Sequence, residues 1–186
     1  MTAEPVRAFV AIRPPESVLD AIAARTAQLV LPHGRLTTRD QWHVTLQFLG
    51  KADVDAVRDA LTGIDVGAKE VCLSGAGSLP PERRSKYLVA YLSDADGWVF
   101  GLRDAVAERL LPLGFEPDHR DRGAQRLWPH LTLARLKAAT RMEDLAAGVG
   151  SEPIGESWTV DEIVVYESQL RSTGAEYSAR ARIPLA

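Results

Sequence analysis

A repeated strand motif limits most strongly what this chain can fold into. "WHVTLQFLG" occupies residues 42–50 and "WPHLTLARL" residues 128–136. Each places a histidine two residues before a threonine and a leucine directly after that threonine, and the histidines are 87 residues apart. On a strand, residues i and i+2 face the same way. His43, Thr45 and Gln47 therefore fall on one polar face, with Trp42, Val44, Leu46 and Phe48 on an apolar one. In the second copy His130 and Thr132 share a face, opposed by Leu131 and Leu133. Each strand can anchor in a core and offer an imidazole and a hydroxyl on its other side. Two such strands set side by side make a cleft holding two of each.

The rest of the chain is organised around those strands. Further strand-like runs lie at 7–12, 70–79, 86–93, 158–168 and 176–185, besides 42–49 and 130–136 themselves. Four helix-like segments separate them. The first, about 15–30, places Val18, Ile22, Arg25 and Leu29 at spacings of four and three. The second, about 53–62, opens at Asp53, buries Val54, Val57 and Leu61 and stops at Gly63. The third, about 97–112, carries Trp98, Leu102, Val106 and Leu110 and is closed by a turn at 112–114. The fourth opens with Thr140 and Glu143 at capping-box spacing. Each motif strand is followed by a helix, so roughly one unit is used twice. No low-complexity run or long linker divides the chain. The pattern predicts a single α+β domain over 1–186, made of two similar lobes with mostly antiparallel pairing.

Composition excludes several classes. At 186 residues, 46% hydrophobic and 25% charged, the chain reads as globular rather than disordered or fibrous. No apolar run approaches the ~20 residues of a membrane-spanning helix. The opening "MTAEPVRAFVAIRPP" lacks a basic stretch followed by a long apolar one, so no secretory leader is expected. The one cysteine, Cys72, excludes an intrachain disulfide framework and fits a reducing cytoplasm. Within "VCLSG" it reads as a small buried hydrophobe. A net charge of −3 is unlike proteins that live on bulk attraction to duplex nucleic acid, which are normally basic. Nucleic-acid contact would be local, from "RRSK" (83–86) or "HRDRGAQR" (119–126), each of which alone reads as a solvated loop.

Two imidazoles and two hydroxyls have a chemical use. In-line cleavage of a phosphodiester needs a base to take a proton from the nucleophile and an acid to protonate the leaving oxygen. Histidines serve both needs near neutral pH, since imidazole titrates around ~6.5. Threonine hydroxyls donate to the oxygens where charge builds. A lone histidine on a strand is ordinarily a half-buried ring with one hydrogen bond. Two copies with the same flanks, each followed by a helix, outweigh that reading. His33 and His119, in "LPHGR" and "EPDHRD", read as surface residues. The motif has neither HxxxH nor CxxC spacing, so no metal site and no cofactor are expected.

"HVTLQFLG" and "PHLTLAR" resemble the paired signatures of the 2H phosphoesterase superfamily, and within it the RNA 2′,3′-cyclic phosphodiesterases, also called 2′-5′ RNA ligases. "RAFVAIRPP", "SKYLVAYL" and "IVVYESQL…GAEYSARARIPL" are similar to that family too, so the resemblance spans nearly the whole chain. It implies a bilobal fold of two pseudo-symmetric lobes, with helices outside and a central cleft. It implies His43 as proton donor to the leaving ribose oxygen and His130 as the acceptor that activates water. The residues by themselves supply the pair but not that assignment. Thr45 and Thr132 would hold phosphate oxygens, and Arg135 would add charge. Strict alternation turns Arg135 away from His130, so a strand end or bulge has to redirect it. Phe9 or Trp42 would stack on a base, with core packing the expectation for Trp42.

The substrate implied is RNA with a 2′,3′-cyclic phosphate end, such as a tRNA fragment or short oligonucleotide, and the expected product is a 2′-phosphomonoester. Two other readings use the same cleft. In one, a 5′-hydroxyl attacks the cyclic phosphate and forms a 2′-5′ linkage without ATP. In the other the cleft binds RNA ends without turnover, which does not need two titrating imidazoles. A monomeric, cytoplasmic protein is expected.

Overall fold

The structure, a computed structural model, describes residues 4–79, 81, 84–94, 96–117, 128–172 and 174–186. Among these, nine strands join in one sheet: β1 (Val6–Ile12), β2 (Gly34–Leu36), β3 (Val44–Ala52), β4 (Lys69–Ser78), β5 (Ser85–Ser93), β6 (His130–Thr140), β7 (Trp158–Val160), β8 (Glu162–Arg171) and β9 (Gly174–Pro184). The helices are α1 (Glu16–Thr26), α2 (Val54–Leu61), α3 (Trp98–Leu110) and α4 (Glu143–Val149). None is long and apolar enough to cross a membrane. Strand order is β7-β4-β5-β6-β3-β1-β8-β9, with β2 also on β6, and every pairing is antiparallel. This is the bilobal α+β plan. One half is β6-β5-β4-β7, the other β3-β1-β8-β9, and the motif strands β3 and β6 are where the halves meet.

One face of the sheet packs against the helices. Val10, Ile12, Val44, Leu46, Leu131, Leu133, Ile163 and Val165 join Leu19, Ile22, Val57, Leu61, Leu102 and Val106 in one buried cluster. A smaller cluster, Phe9, Ala11, Val164 and Tyr166 with Tyr177 against it, lies on the opposite face and contains no helical residue. That face carries His43, whose ring lies against Phe9.

Two of the helix starts have clear chemical causes. The Asp53 carboxylate accepts from the amides of Asp55 and Ala56 and begins α2 as its sequence suggests. Asp94, four residues ahead, accepts from the amides of Trp98 and Val99 at the start of α3. The capping box expected at Thr140 does not form. Thr140 is instead the last residue of β6, paired with Ser85, and α4 starts at Glu143 after a buried Met142. The ladder bond captured the residue that would have capped the helix. α1 also stops at Thr26, short of 30, where the Thr26 hydroxyl donates back to the Ile22 carbonyl.

Two strand expectations change as well. The run at 158–168 is two strands, because the chain switches halves at Asp161: β7 pairs with β4, whereas β8 pairs with β1 and β9. The short β2 was not foreseen, since three residues are too few to show alternation. Cys72 is half-buried rather than buried, pairing with Ser93 on β5.

Candidate active site

The two motif strands touch at a single register pair, Val44 with Leu131. Because β3 and β6 are antiparallel, this sets Thr45 across from His130 and His43 across from Thr132. The four polar residues form one patch related by a local two-fold through that pair. Opposed side chains at such a crossing have Cβ atoms about 5 Å apart, so all four can reach one phosphate. The positive charge that His130 can carry also bears on the protonation of His43.

Each ring is fixed in the same way. His130 Nδ1 lies 2.8 Å from the Trp128 carbonyl oxygen. A carbonyl only accepts, so Nδ1 carries the hydrogen and the neutral ring presents an Nε2 lone pair. The His43 ring bonds the backbone of Gln41, again two residues back. Aromatic rings enclose His43: Phe9 at 4.7 Å, Tyr177 edge-on at 5.1 Å and Tyr166 at 6.1 Å between centroids. Burial holds His43 down to about 4; the bond to Gln41 opposes this, and Arg135, His130 and Arg13 add to it by charge. Burial also lowers His130, opposed by its bond to Trp128 and reinforced by Arg103 and Arg135. Both shifts favour the neutral imidazole at pH 7.

A bulge follows each threonine. On β3, Ala11 pairs with Thr45 and Val10 with Gln47, leaving Leu46 as the extra residue. On β6, Val89 pairs with Thr132 and Leu88 with Ala134, leaving Leu133 extra. One extra residue reverses the alternation beyond it. Arg135 is thereby turned onto the face of His130, paired with Tyr87 and lying 5.7 Å from that ring's centroid. Gln47, expected beside His43, is turned into the core, where its amide donates to the carbonyls of Phe115 and Glu116. Phe48, expected in the core, is 65% exposed and pairs with Phe9 on the His43 face. Arg135 and Phe48 each stand five residues after their histidine, so one lobe offers a cation where the other offers a ring.

The remaining expected residues divide. Trp42 is buried, as core packing requires, and its indole N–H donates to Thr37 Oγ1 at 2.9 Å. Phe9 is 2% exposed and packs under His43, so no face of it is open to a nucleobase. His33 is exposed, as expected. His119 and the segment 119–126 lie outside the described residues, as does Arg83 of "RRSK". No three His, Cys, Asp or Glu side chains group as metal ligands among the described residues.

Thr37 is a support that sequence reasoning missed. Its one hydroxyl hydrogen is shared between the bulge carbonyls of Thr132 and Leu133, whose oxygens lie 2.6 and 2.9 Å away, while its oxygen accepts from Trp42. Thr37→Val removes all of this at constant shape and strands a buried indole N–H. We expect a loss of about 1–3 kcal/mol, read by urea unfolding at pH 7. A change below about 0.5 kcal/mol, the size of an ordinary surface substitution, would show that the bulge does not depend on it.

The model of the 2′-5′ RNA ligase superfamily matches residues 14–171. A Methanocaldococcus jannaschii protein named RNA 2′,3′-cyclic phosphodiesterase is 24% identical over 177 residues, covering 92% of this chain and 96% of its own. One of the same name from Aeropyrum pernix is 27% identical over 144 residues, covering 74% and 78%. Among solved structures, TT0787 of Thermus thermophilus is similar with a TM-score of 0.73 at 26% identity, over 96% of this chain and 97% of that one. E. coli LigT complexed with 3′-AMP shares the fold, with a TM-score of 0.75 at 24% identity over 98% and 99%. The stretch 14–171 takes in both histidine strands and all four helices, and on that match the chain belongs to the 2′-5′ RNA ligase superfamily.

Proposed function

We propose that this protein hydrolyses RNA 2′,3′-cyclic phosphate ends to 2′-phosphomonoesters, using paired imidazoles and no metal ion. The observation that carries the reading is the crossing of β3 and β6, which gathers His43, Thr132, Thr45 and His130 around one point. Two relatives bearing the name RNA 2′,3′-cyclic phosphodiesterase support it.

In this reading Thr45 and Thr132 donate to the non-bridging phosphate oxygens, and Arg135 offsets charge beside them. His130 Nε2 takes a proton from water as the water oxygen bonds to phosphorus. The bond from phosphorus to the 3′-oxygen breaks, and His43 gives that oxygen its proton. The phosphate stays on the 2′-oxygen, His130 ends protonated and His43 neutral, and exchange with solvent resets the pair. The phosphate anion favours protonated His43 against the burial that opposes it. Ligation would use the same imidazoles with a 5′-hydroxyl in place of water. Water needs no site, whereas a second strand has to be held in line, so hydrolysis dominates.

Catalysis needs one imidazole protonated and the other neutral. That singly protonated form of the free enzyme is most populated between the two apparent pKa values. Both values lie below 6.5, so kcat/KM should follow a bell with its optimum on the acid side of pH 6.5. The test is turnover of a 2′,3′-cyclic-phosphate oligonucleotide in EDTA across pH 4–8, with 2′- and 3′-phosphate products resolved by chromatography. A 3′-phosphate product, loss of activity in EDTA or an optimum above pH 7 would contradict the mechanism. Predominant joining to a 5′-hydroxyl strand would favour ligation.

A further inference from the structure

His43 stands just past the end of a short turn rather than inside a ladder. The 3₁₀ turn Arg39–Gln41 leads through Trp42 into β3, and the His43 ring bonds the backbone of Gln41. That bond favours the protonated ring, so a ring nitrogen donates and the Gln41 carbonyl accepts. Around the imidazole pack Phe9, Tyr166 and Tyr177. Contact with their faces and edges restrains the plane of the ring but does not choose which nitrogen points into the cleft. Turning the ring over about its Cβ–Cγ bond puts carbon where nitrogen stood. The bond to one carbonyl therefore decides where His43 can deliver a proton.

Hydrogen-bond geometry is poorer in 3₁₀ turns than in α-helices, so a carbonyl at the end of one needs outside support. Gln41 supplies it with its own side chain. Its Nε2 donates to the Ala175 carbonyl of β9 at 2.7 Å, and its Oε1 accepts from the Thr38 amide at 3.3 Å. One partner is an acceptor and the other a donor, so together they fix which way the side-chain amide faces. Ala175 lies two residues before Tyr177, whose ring meets His43 edge-on at 5.1 Å between centroids. Gln41 thus acts on the imidazole from two sides: through its carbonyl on a ring nitrogen, and through β9 on the tyrosine that closes over the ring edge. We propose, resting on the paired-imidazole reading, that Gln41 is a positioning residue for His43: its side-chain bond to β9 holds the carbonyl that aims the imidazole at the leaving oxygen.

The test is Gln41→Met, similar in length and unable to make either side-chain bond. Its control is Arg39→Met, which cuts the ties of the same turn to Glu16 and Asp20 on α1. On a 2′,3′-cyclic-phosphate oligonucleotide, Gln41→Met should lower kcat about tenfold, the equivalent of one net hydrogen bond, with KM changed less than about twofold. Arg39→Met should change kcat less than about twofold. Imidazole NMR at pH 7 should show His43 as one tautomer in wild type and as a mixture in Gln41→Met. Gln41→Glu keeps the acceptor for Thr38 and loses only the donor, so the same spectra decide the point if Gln41→Met does not fold. A single tautomer in the Gln41 variants, an effect on KM alone, or an equal loss of kcat in Arg39→Met would overturn the proposal while leaving the phosphodiesterase reading intact. No turnover by wild type would end that reading, and with it this role for Gln41.

Discussion

Replacing His43 or His130 by alanine is expected to lower kcat on a 2′,3′-cyclic oligonucleotide by at least 10²-fold, and up to 10⁴-fold, with the fold retained. That range is what one positioned proton transfer contributes. The double variant should lose little beyond either single one, because both groups act on one transition state and removing one already disables the other. The local two-fold makes the comparison informative: His43 and His130 have the same backbone anchor and opposite threonine neighbours. Single-turnover kinetics, with far-UV spectra to verify folding, would measure it. Near-full activity in either single variant would rule out the paired mechanism, and losses that multiply in the double variant would mean the histidines act in separate steps.

A second large effect concerns acid. His43 sits among Phe9, Tyr166 and Tyr177 and titrates at about 4 in the folded protein, against about 6.5 for an unhindered imidazole. Between those values the unfolded chain binds a proton that the folded one refuses. Stability from this group is therefore complete above pH 6.5 and is lost as pH falls toward 4. The size is on the order of 2–3 kcal/mol by pH 4.5, and the lowered His130 adds in the same direction. Urea unfolding of wild type and His43→Gln at pH 7 and 4.5 isolates the contribution. The glutamine variant starts less stable through lost packing, but its stability should fall less on acidification. If both proteins lose the same amount, the His43 ring is better solvated than its neighbours imply.

The acid effect and the catalytic effect have one origin. The small aromatic cluster that holds His43 in place also strips water from it, so positioning is obtained together with a reluctance to protonate. A phosphate anion bound beside the ring would reverse that balance by favouring the protonated imidazole. Phosphate analogues should accordingly raise stability more at pH 5 than at pH 7.

Much of the site was legible because strand alternation is local. A period of two puts His43 with Thr45 and His130 with Thr132 on one side whatever the rest of the chain does, since only neighbouring backbone sterics are involved. The same locality explains the misreadings. A bulge adds a residue without marking the sequence, so Gln47 and Phe48 exchanged faces, and Arg135 reached the cleft although alternation alone turned it away. Thr140 matched a capping box three residues from Glu143, yet a ladder partner 55 residues away, Ser85, claimed it. The strand run at 158–168 gave no hint that the chain crosses from one half of the sheet to the other at Asp161.

The sequence by itself therefore determined which side chains could carry the chemistry, the two-lobed α+β plan and the absence of any disulfide framework. Only the tertiary structure decided where those side chains meet. The pairing of Val44 with Leu131, the closure of β2 through Gly34 and the enclosure of His43 by Tyr166 and Tyr177 all join residues more than 80 positions apart. Such contacts are selected by total burial and by the hydrogen bonds of a whole sheet, of which no short stretch of sequence holds more than a part.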